Sequence, residues 1–258
     1  MEYQENIVAY IDFLGVSSDL MSVEHDMSHL MGKKIMFDAI RNLITDTIRE
    51  VIGDSITLYW MSDSLILSSP LLFSIEEPLE EKIKYIEDTF YKISVGAGIC
   101  QCISACQIYF ARGGIAMGPM ISSKVSEEPF GTGLVRATEL EKELADFPRI
   151  ISSAILSPFA LKLKNPINDM KMYVFDINLP FIDYLSFAEY AHGEGVDRGD
   201  GPVRLMLAGH AEGVHDLVIK SKKNPTLRGK AKWLLTYHNL HIEKRGGFSD
   251  LIVDLTID

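Results

Sequence analysis

Residues 55–69 read SITLYWMSDSLILSS, and this stretch decides the fold. Two runs rich in β-branched, aromatic and aliphatic residues, Ser55 to Met61 and Ser64 to Ser69, flank the dipeptide Ser62-Asp63. Two short polar residues between two strand-like runs predict a β-hairpin with an acid at its tip. Pro70 ends the second run, since proline cannot donate to a ladder.

Working outward, residues Ser28 to Val51 carry Leu30, Met31, Ile35, Phe37, Ile40, Leu43, Ile44 and Ile48 at helical spacing. Upstream of that helix, Asn6 to Asp12 (NIVAYID) is an apolar run that closes on an acid. It reads as a strand buried on both faces, broken by Gly15 and the Ser17-Ser18 pair. On the other side of the hairpin, Pro78 to Tyr109 predicts one long or broken helix, weakened by Gly96 and Gly98. Tyr109 to Met117 (YFARGGIAM) predicts a strand whose glycines admit a close neighbour, and Gly118-Pro119 predicts a turn. Phe130 to Ala145 opens with glycines and becomes helical. A short strand at Arg149 to Ser153, a helix within Pro158 to Lys164 and a strand at Met172 to Asp176 follow.

The order β, α, β-hairpin, α, β, α, β predicts an α/β (α+β) fold: a mixed sheet with flanking helices around a ferredoxin-like core. Beyond about residue 180 the character changes. Ala191 to Gly201 (AHGEGVDRGDG) reads as a loop, and two helices are expected near Val203 to Lys220 and Lys230 to His241. The division expected is a core at 1–180 and a C-terminal helical extension, 181–258, packed on it.

The 258 residues are 47% hydrophobic, enough for one substantial core. The formal net charge of -11 argues against a nucleic-acid groove, which needs clustered Lys and Arg. It leaves room for a small basic pocket. No apolar run approaches the ~20 residues of a membrane helix. Met1 to Asn6 is polar and acidic and shows no signal peptide. Cys100, Cys102 and Cys106 read as reduced thiols, so the expected location is the cytoplasm. Without a second CxxC or a nearby His they read as small buried hydrophobes rather than a zinc set.

The chemistry-bearing feature is an acid pair. Asp12 ends the first strand and Asp63 tips the hairpin. If those strands are neighbours, both carboxylates meet at one end of the sheet. An acid in a turn is commonly only a turn residue. Two converging acids repel unless a cation sits between them, which points to Mg²⁺ or Mn²⁺. Two such ions ~4 Å apart can activate an attacking oxygen and stabilise a leaving one. The backbone N–H groups of Phe13, Leu14 and Gly15 are then candidates for phosphate contact. Asp54-Ser55 repeats the Asp-Ser of Asp63-Ser64, but strands flank only Asp63 on both sides.

The stretches VAYIDFLG (8–15), MSDSLILS (61–68), RGGIAMG (112–118) and FGTGLVRATELE (130–141) together resemble the class III nucleotide cyclase catalytic domain, over about residues 6–155. The forms IDFLG, SDS, ARGGIAMG and LEKELADFPRI are most similar to the bacterial Pycsar pyrimidine cyclases. Those are antiphage enzymes that make cyclic UMP or cyclic CMP and activate a partner effector. The resemblance implies a cyclase fold, two Mn²⁺ or Mg²⁺ ions held by Asp12, Asp63 and the Phe13 carbonyl region, and a head-to-tail homodimer with active sites at its interface. It implies a nucleoside triphosphate substrate, UTP favoured over CTP, and a separate effector gated by the cyclic product. It implies neither a nucleic-acid nor a membrane partner.

Tyr59 stands where purine cyclases carry a base-reading Lys or Glu, and Glu128 falls at the second base-reading position. Arg112 could reach the base or the phosphates. Where ordinary members carry an Asn and an Arg that help the transition state, this chain has Val135 and Glu139. That argues against an ordinary adenylate or guanylate cyclase and requires another cation: Arg136 first, then Arg149 or Lys230. A catalytically inactive, nucleotide-binding or dimerising domain is the alternative. One basic cluster remains, Lys220, Lys222, Lys223, Arg228, Lys230 and Lys232, which is either a solvated surface or a triphosphate or partner contact. Trp60 and Trp233 read as packing residues.

Overall fold

The computed structural model describes all residues except 1, 22, 75, 123–128, 166–170, 176–178, 191–199 and 256–258. Strand β1 (Glu2–Phe13) is followed by helices α1 (Val16–Met21) and α2 (Met27–Ile52). The hairpin β2 (Thr57–Met61) and β3 (Ser64–Pro70) comes next, then α3 (Leu79–Cys106) and β4 (Ala111–Ser122). A two-residue strand β5 (Phe130–Gly131) leads into α4 (Thr132–Leu144), β6 (Ile150–Ser152) and α5 (Ser157–Ala160). Strands β7 (Tyr173–Phe175) and β8 (Pro180–Ile182), a 3-10 helix at Tyr184–Tyr190, α6 (Asp200–Ser221) and α7 (Pro225–Arg245) complete the chain.

Among the described residues the sheet runs β2-β3-β1-β4-β6-β8-β7, with β5 added beside β4. Within it, β1 lies between β3 and β4 and is antiparallel to both. Together with β2, which pairs with β3, this is the βαββαβ order expected of a ferredoxin-like core. The only parallel pairing described, β4 with β6, follows the α4 crossover. The mixed α+β class read from the sequence is the class observed.

The two faces of the sheet differ. Ile7, Ala9, Ile11 and Phe13 of β1, with Leu65 and Leu67 of β3, point into the main core against α2 and α3. Val8 of β1, Ile66 of β3 and Ala116 and Met120 of β4 form a smaller cluster against Ala137 of α4. Helix α2 starts at Asp26, whose carboxylate accepts from the Ser28 and His29 N–H groups at 3.1 Å, and it stops at Gly53 with φ 71°. Its buried stripe is Ile40, Ile44, Thr47 and Ile48.

One open alternative is decided and two expectations change. Helix α3 is not broken at Gly96 and Gly98. Its second half is buried all round, and a Cβ at Gly98 would lie 2.5 Å from the Phe187 ring, so the glycine makes room for packing. Gly118-Pro119 is not a turn: both residues lie within β4, opposite Asn6 and Glu5. On the side of β4 away from β1, β6 pairs with residues 113–115 and β5 with 120–121, so position 119 falls between the two described registers, where a missing N–H is tolerated. Strand β8 was not expected at all. It pairs with β6 and β7, and Tyr184, Leu185 and Phe187 just beyond it are fully buried. Helix α6 packs on α3 and α7 on α6. Most of the loop expected at Ala191 to Gly201 lies outside the described residues. No described helix is long and apolar enough to cross a membrane.

Candidate active site

The cross-strand register places the site. On the face of the sheet covered by α4, one row reads Met61, Ser64, Asp12, Arg112 across β2, β3, β1 and β4. The next row reads Tyr59, Ile66, Tyr10, Gly114. The acid that closes the first strand therefore has an arginine on one side and the hairpin on the other.

The hairpin is closed by two residues. Ser62 takes φ 51°, a left-handed conformation uncommon outside glycine, and the Asp63 carbonyl accepts from the Phe13 N–H at 3.1 Å. That bond clips the tip of the hairpin to the end of β1 and brings Asp63 beside Asp12. The Ser64 hydroxyl donates to Asp12 Oδ1 at 3.3 Å, so Tyr10, 3.0 Å from Ser64 Oγ, donates to Ser64. The Asp12 carboxyl is pushed above the ordinary aspartate range, first by burial and then by the charge of Asp63. Arg112, the Ser64 hydroxyl and Lys230 pull the other way.

Arg112 is held by two acids. Its Nε lies 2.5 Å from Glu141 Oε1 and 3.8 Å from Asp12 Oδ2. The Glu141 side chain is 3% exposed, and its carboxyl is also raised, chiefly by burial against the pull of Arg112. Glu141 reaches Arg112 because α4 presents Gly133, Ala137 and Glu141 on its buried stripe. A Cβ at Gly114 would lie 2.3 Å from the Ala137 carbonyl, so only glycine lets the helix sit this low.

Two cavities lie at this end of the sheet, one of them lined by Asp63. One, of about 240 Å³, lies beside Ser62 and Asp63 and is lined by Phe37, Arg41, Lys33 and Lys34 of α2. The Arg41 guanidinium stacks over Phe37 and Trp60, 4.9 Å from each ring centroid, and Trp60 stacks on Phe13 at 5.8 Å. The other, of about 470 Å³, lies behind Leu14 and Gly15 and is lined by Lys33, Lys220 and Lys230. The two share Lys33 and Tyr109.

The remaining expected residues fall as follows. Tyr59 lies on the same face as Asp12, half-buried against the Val8–Ile66 cluster. Phe13 and Leu14 do not offer their N–H groups to a phosphate, because these donate to the carbonyls of Asp63 and Phe110. Gly15, at φ 88°, has open space where a side chain would stand. Arg136 is not beside the acid pair. Its Nη1 donates to the Met117 carbonyl, five positions beyond Arg112 along β4, or about 16 Å. Arg149 lies over Phe147 and Phe181. Lys230 is the cation of the three that stands in the field of Asp12, Glu141 and Arg112. Glu128 lies outside the described residues.

Glu141, Lys33, Lys34 and Arg41 were not singled out in the sequence. Their signals are positional: Glu141 shares a helical stripe with Gly133 and Ala137, and Lys33, Phe37 and Arg41 recur every fourth residue on α2.

Among the described residues no group of three or more His, Cys, Asp or Glu side chains would by itself hold a metal. Two acids suit a different regime. Mg²⁺ and similar hard cations often bind through one or two carboxylates together with substrate phosphates. Burial, and then the charge of Asp63, raises the Asp12 carboxyl, which fits a cation delivered with an anionic ligand.

No family model and no curated protein sequence matches the chain. Among solved structures, the crystal structure of the guanylyl cyclase Cya2 aligns over 70% of this chain and 93% of that chain, at 10% identity and a TM-score of 0.35.

Proposed function

We propose that this chain is a nucleotide cyclase of the class III type, acting on a pyrimidine nucleoside triphosphate, with UTP favoured, to give the 3′,5′-cyclic monophosphate and pyrophosphate. The observation that carries the reading is the convergence of Asp12 and Asp63 at one end of a ferredoxin-like sheet, with Asp12 driven toward its neutral form. Four motif stretches in the order of that family support it, as does the cation-lined cavity beside Asp63.

In this reading the 3′-oxygen of the ribose attacks the α-phosphorus. The bond from that phosphorus to the bridging oxygen breaks, pyrophosphate leaves, and the hydroxyl proton passes to water. Two divalent ions, Mn²⁺ or Mg²⁺, would supply polarisation of the attacking and leaving oxygens when bound. Asp12 and Asp63 hold the cationic end of the substrate complex, and Ser64 fixes the Asp12 carboxylate. Arg112, anchored by Glu141, stays within reach of the phosphate charge beside Asp12. Tyr59 narrows the space for a base on the same face. Arg136 is too far along β4 to serve the acid pair of its own chain, so it contributes only if a second copy is docked head to tail. A defence role, with cyclic UMP gating a separate effector, completes the proposal.

A thermal-shift experiment tests it. UTP with Mn²⁺ should raise the melting temperature of the parent, and the rise should vanish in Asp63→Ala. An equal rise in both proteins removes the acid pair from nucleotide binding.

A further inference from the structure

We infer that helices α6 and α7 complete the active site, placing Lys220 and Lys230 with Lys33 of α2 around a di- or triphosphate subsite in the cavity behind Leu14 and Gly15. The choice of ligand rests on the cyclase reading; the convergence of cations does not.

Four observations lead there. The chain is strongly acidic, with a net charge of -11, yet this cavity draws lysines from three separate helices and, among the described residues, is faced by the single carboxylate Asp216. Its volume, about 470 Å³, is in the range of small-ligand pockets. The Phe13 and Leu14 N–H groups are committed to backbone carbonyls, so neither serves a phosphate, and the charge that meets one in this cavity is that of its lysines. Lys230 joins the cavity to the acid pair: burial and the Arg112 charge lower its pKa, while Asp146, Glu141 and Asp12 favour its ammonium form. A half-buried ammonium between an open cavity and a carboxylate is suited to a compact, highly charged anion, to which it offers three rotatable donors. Pyrophosphate leaving the α-phosphorus would then depart toward Lys230, with Lys33 and Lys220 on the outer phosphates. This gives the basic cluster of the C-terminal segment, and the segment itself, a task in the reaction.

The test is calorimetric titration of the full chain with inorganic pyrophosphate and with tripolyphosphate, both with Mg²⁺. Lys230→Ala should weaken both ligands by about tenfold or more, with Lys230→Arg recovering most of the loss. The Lys33→Ala/Lys220→Ala double variant should weaken tripolyphosphate more than pyrophosphate. Lys220 is exposed, so Lys220→Glu serves as a reporter if Lys230→Ala does not fold. No pyrophosphate binding by the parent, or affinities unchanged across these variants, overturns the subsite. Product analysis of the parent separates the two readings. A cyclic nucleotide made with lysine-independent pyrophosphate binding leaves the cyclase reading standing and the subsite wrong. Lysine-dependent binding without cyclic product does the reverse.

Discussion

Asp12 is ionised at a cost. It is half-buried, it shares its end of the sheet with Asp63, and its pKa in the fold lies above the unfolded value. The folded state therefore holds the proton more tightly, and stability falls as pH rises from the unfolded pKa through the folded one, remaining lower above it. At pH 7.5, Asp12→Asn should raise the melting temperature of the metal-free protein by roughly 2–4 °C, on the order of 1 kcal/mol, while abolishing the response to UTP and Mn²⁺. A variant that melts lower and still responds would show that Asp12 is a turn residue. The Glu141 carboxyl is raised by burial too, but it is the closer counter-charge of Arg112, at 2.5 Å. Its removal leaves Arg112 partly buried without its closest counter-charge, so Glu141→Ala should cost about 2–3 kcal/mol in urea denaturation. Asp12 and Asp63 were legible in the sequence because each sits at a boundary that hydrophobic patterning reveals. Glu141 was not, since an acid in the string TELEKEL looks solvated until the helix is docked and its glycine stripe is seen.

At the scale of elements, the site depends on how closely α4 lies on β4. Gly114 accepts the Ala137 carbonyl and the Leu140 side chain where a Cβ would stand, and Gly113 lies against the Tyr10 carbonyl of β1. Gly114→Ala forces the helix outward. It should lower stability by about 1–3 kcal/mol and loosen the Glu141–Arg112 pair, so that turnover falls more than stability alone explains. Near-parent stability with full activity would mean that the helix position does not matter. The RGG stretch was read correctly as a place of close approach, though the sequence could not say that the visitor was a helix of the same chain. The hairpin and the βαββαβ order were legible from two periodicities and a two-residue turn. Strand β8 was not, because three residues opening on Pro180 carry no period. The continuation of β4 through Gly118-Pro119 was hidden for a related reason: local turn chemistry pointed one way, and pairing with β1 over the full strand decided the other.

At the scale of the whole molecule, α6 and α7 are joined to the core through buried polar groups. His238 Nε2 donates to the Leu251 carbonyl at 2.9 Å, which leaves its Nδ1 to accept from His210 Nδ1 at 3.0 Å. His210 Nε2 then accepts from Tyr184 at 2.7 Å; this arrangement is that of two neutral rings, the form that burial favours at both His210 and His238. Nearby, Tyr237 donates to Asp183 at 2.7 Å, and His241 faces the same carboxylate at 3.6 Å. Burial, followed by the neighbouring His238 and His241, drives the His210 pKa well below its ordinary value. The unfolded chain therefore binds more protons below about pH 6.5, and stability should fall as pH drops from 7 to 5.5. His210→Gln should be less stable at pH 7 but show a flatter profile, and a parent melting temperature that stays level over this range would contradict the neutral-ring assignment. The whole account turns on catalysis at the acid pair. The most direct measurement is incubation of the purified chain with each of the four ribonucleoside triphosphates and Mn²⁺, with products identified by mass spectrometry. The expected result is a cyclic pyrimidine monophosphate, UTP being the preferred substrate, and no such product from Asp12→Ala or Asp63→Ala. A cyclic purine would overturn the base assignment, and no cyclic product from any triphosphate would contradict the central claim.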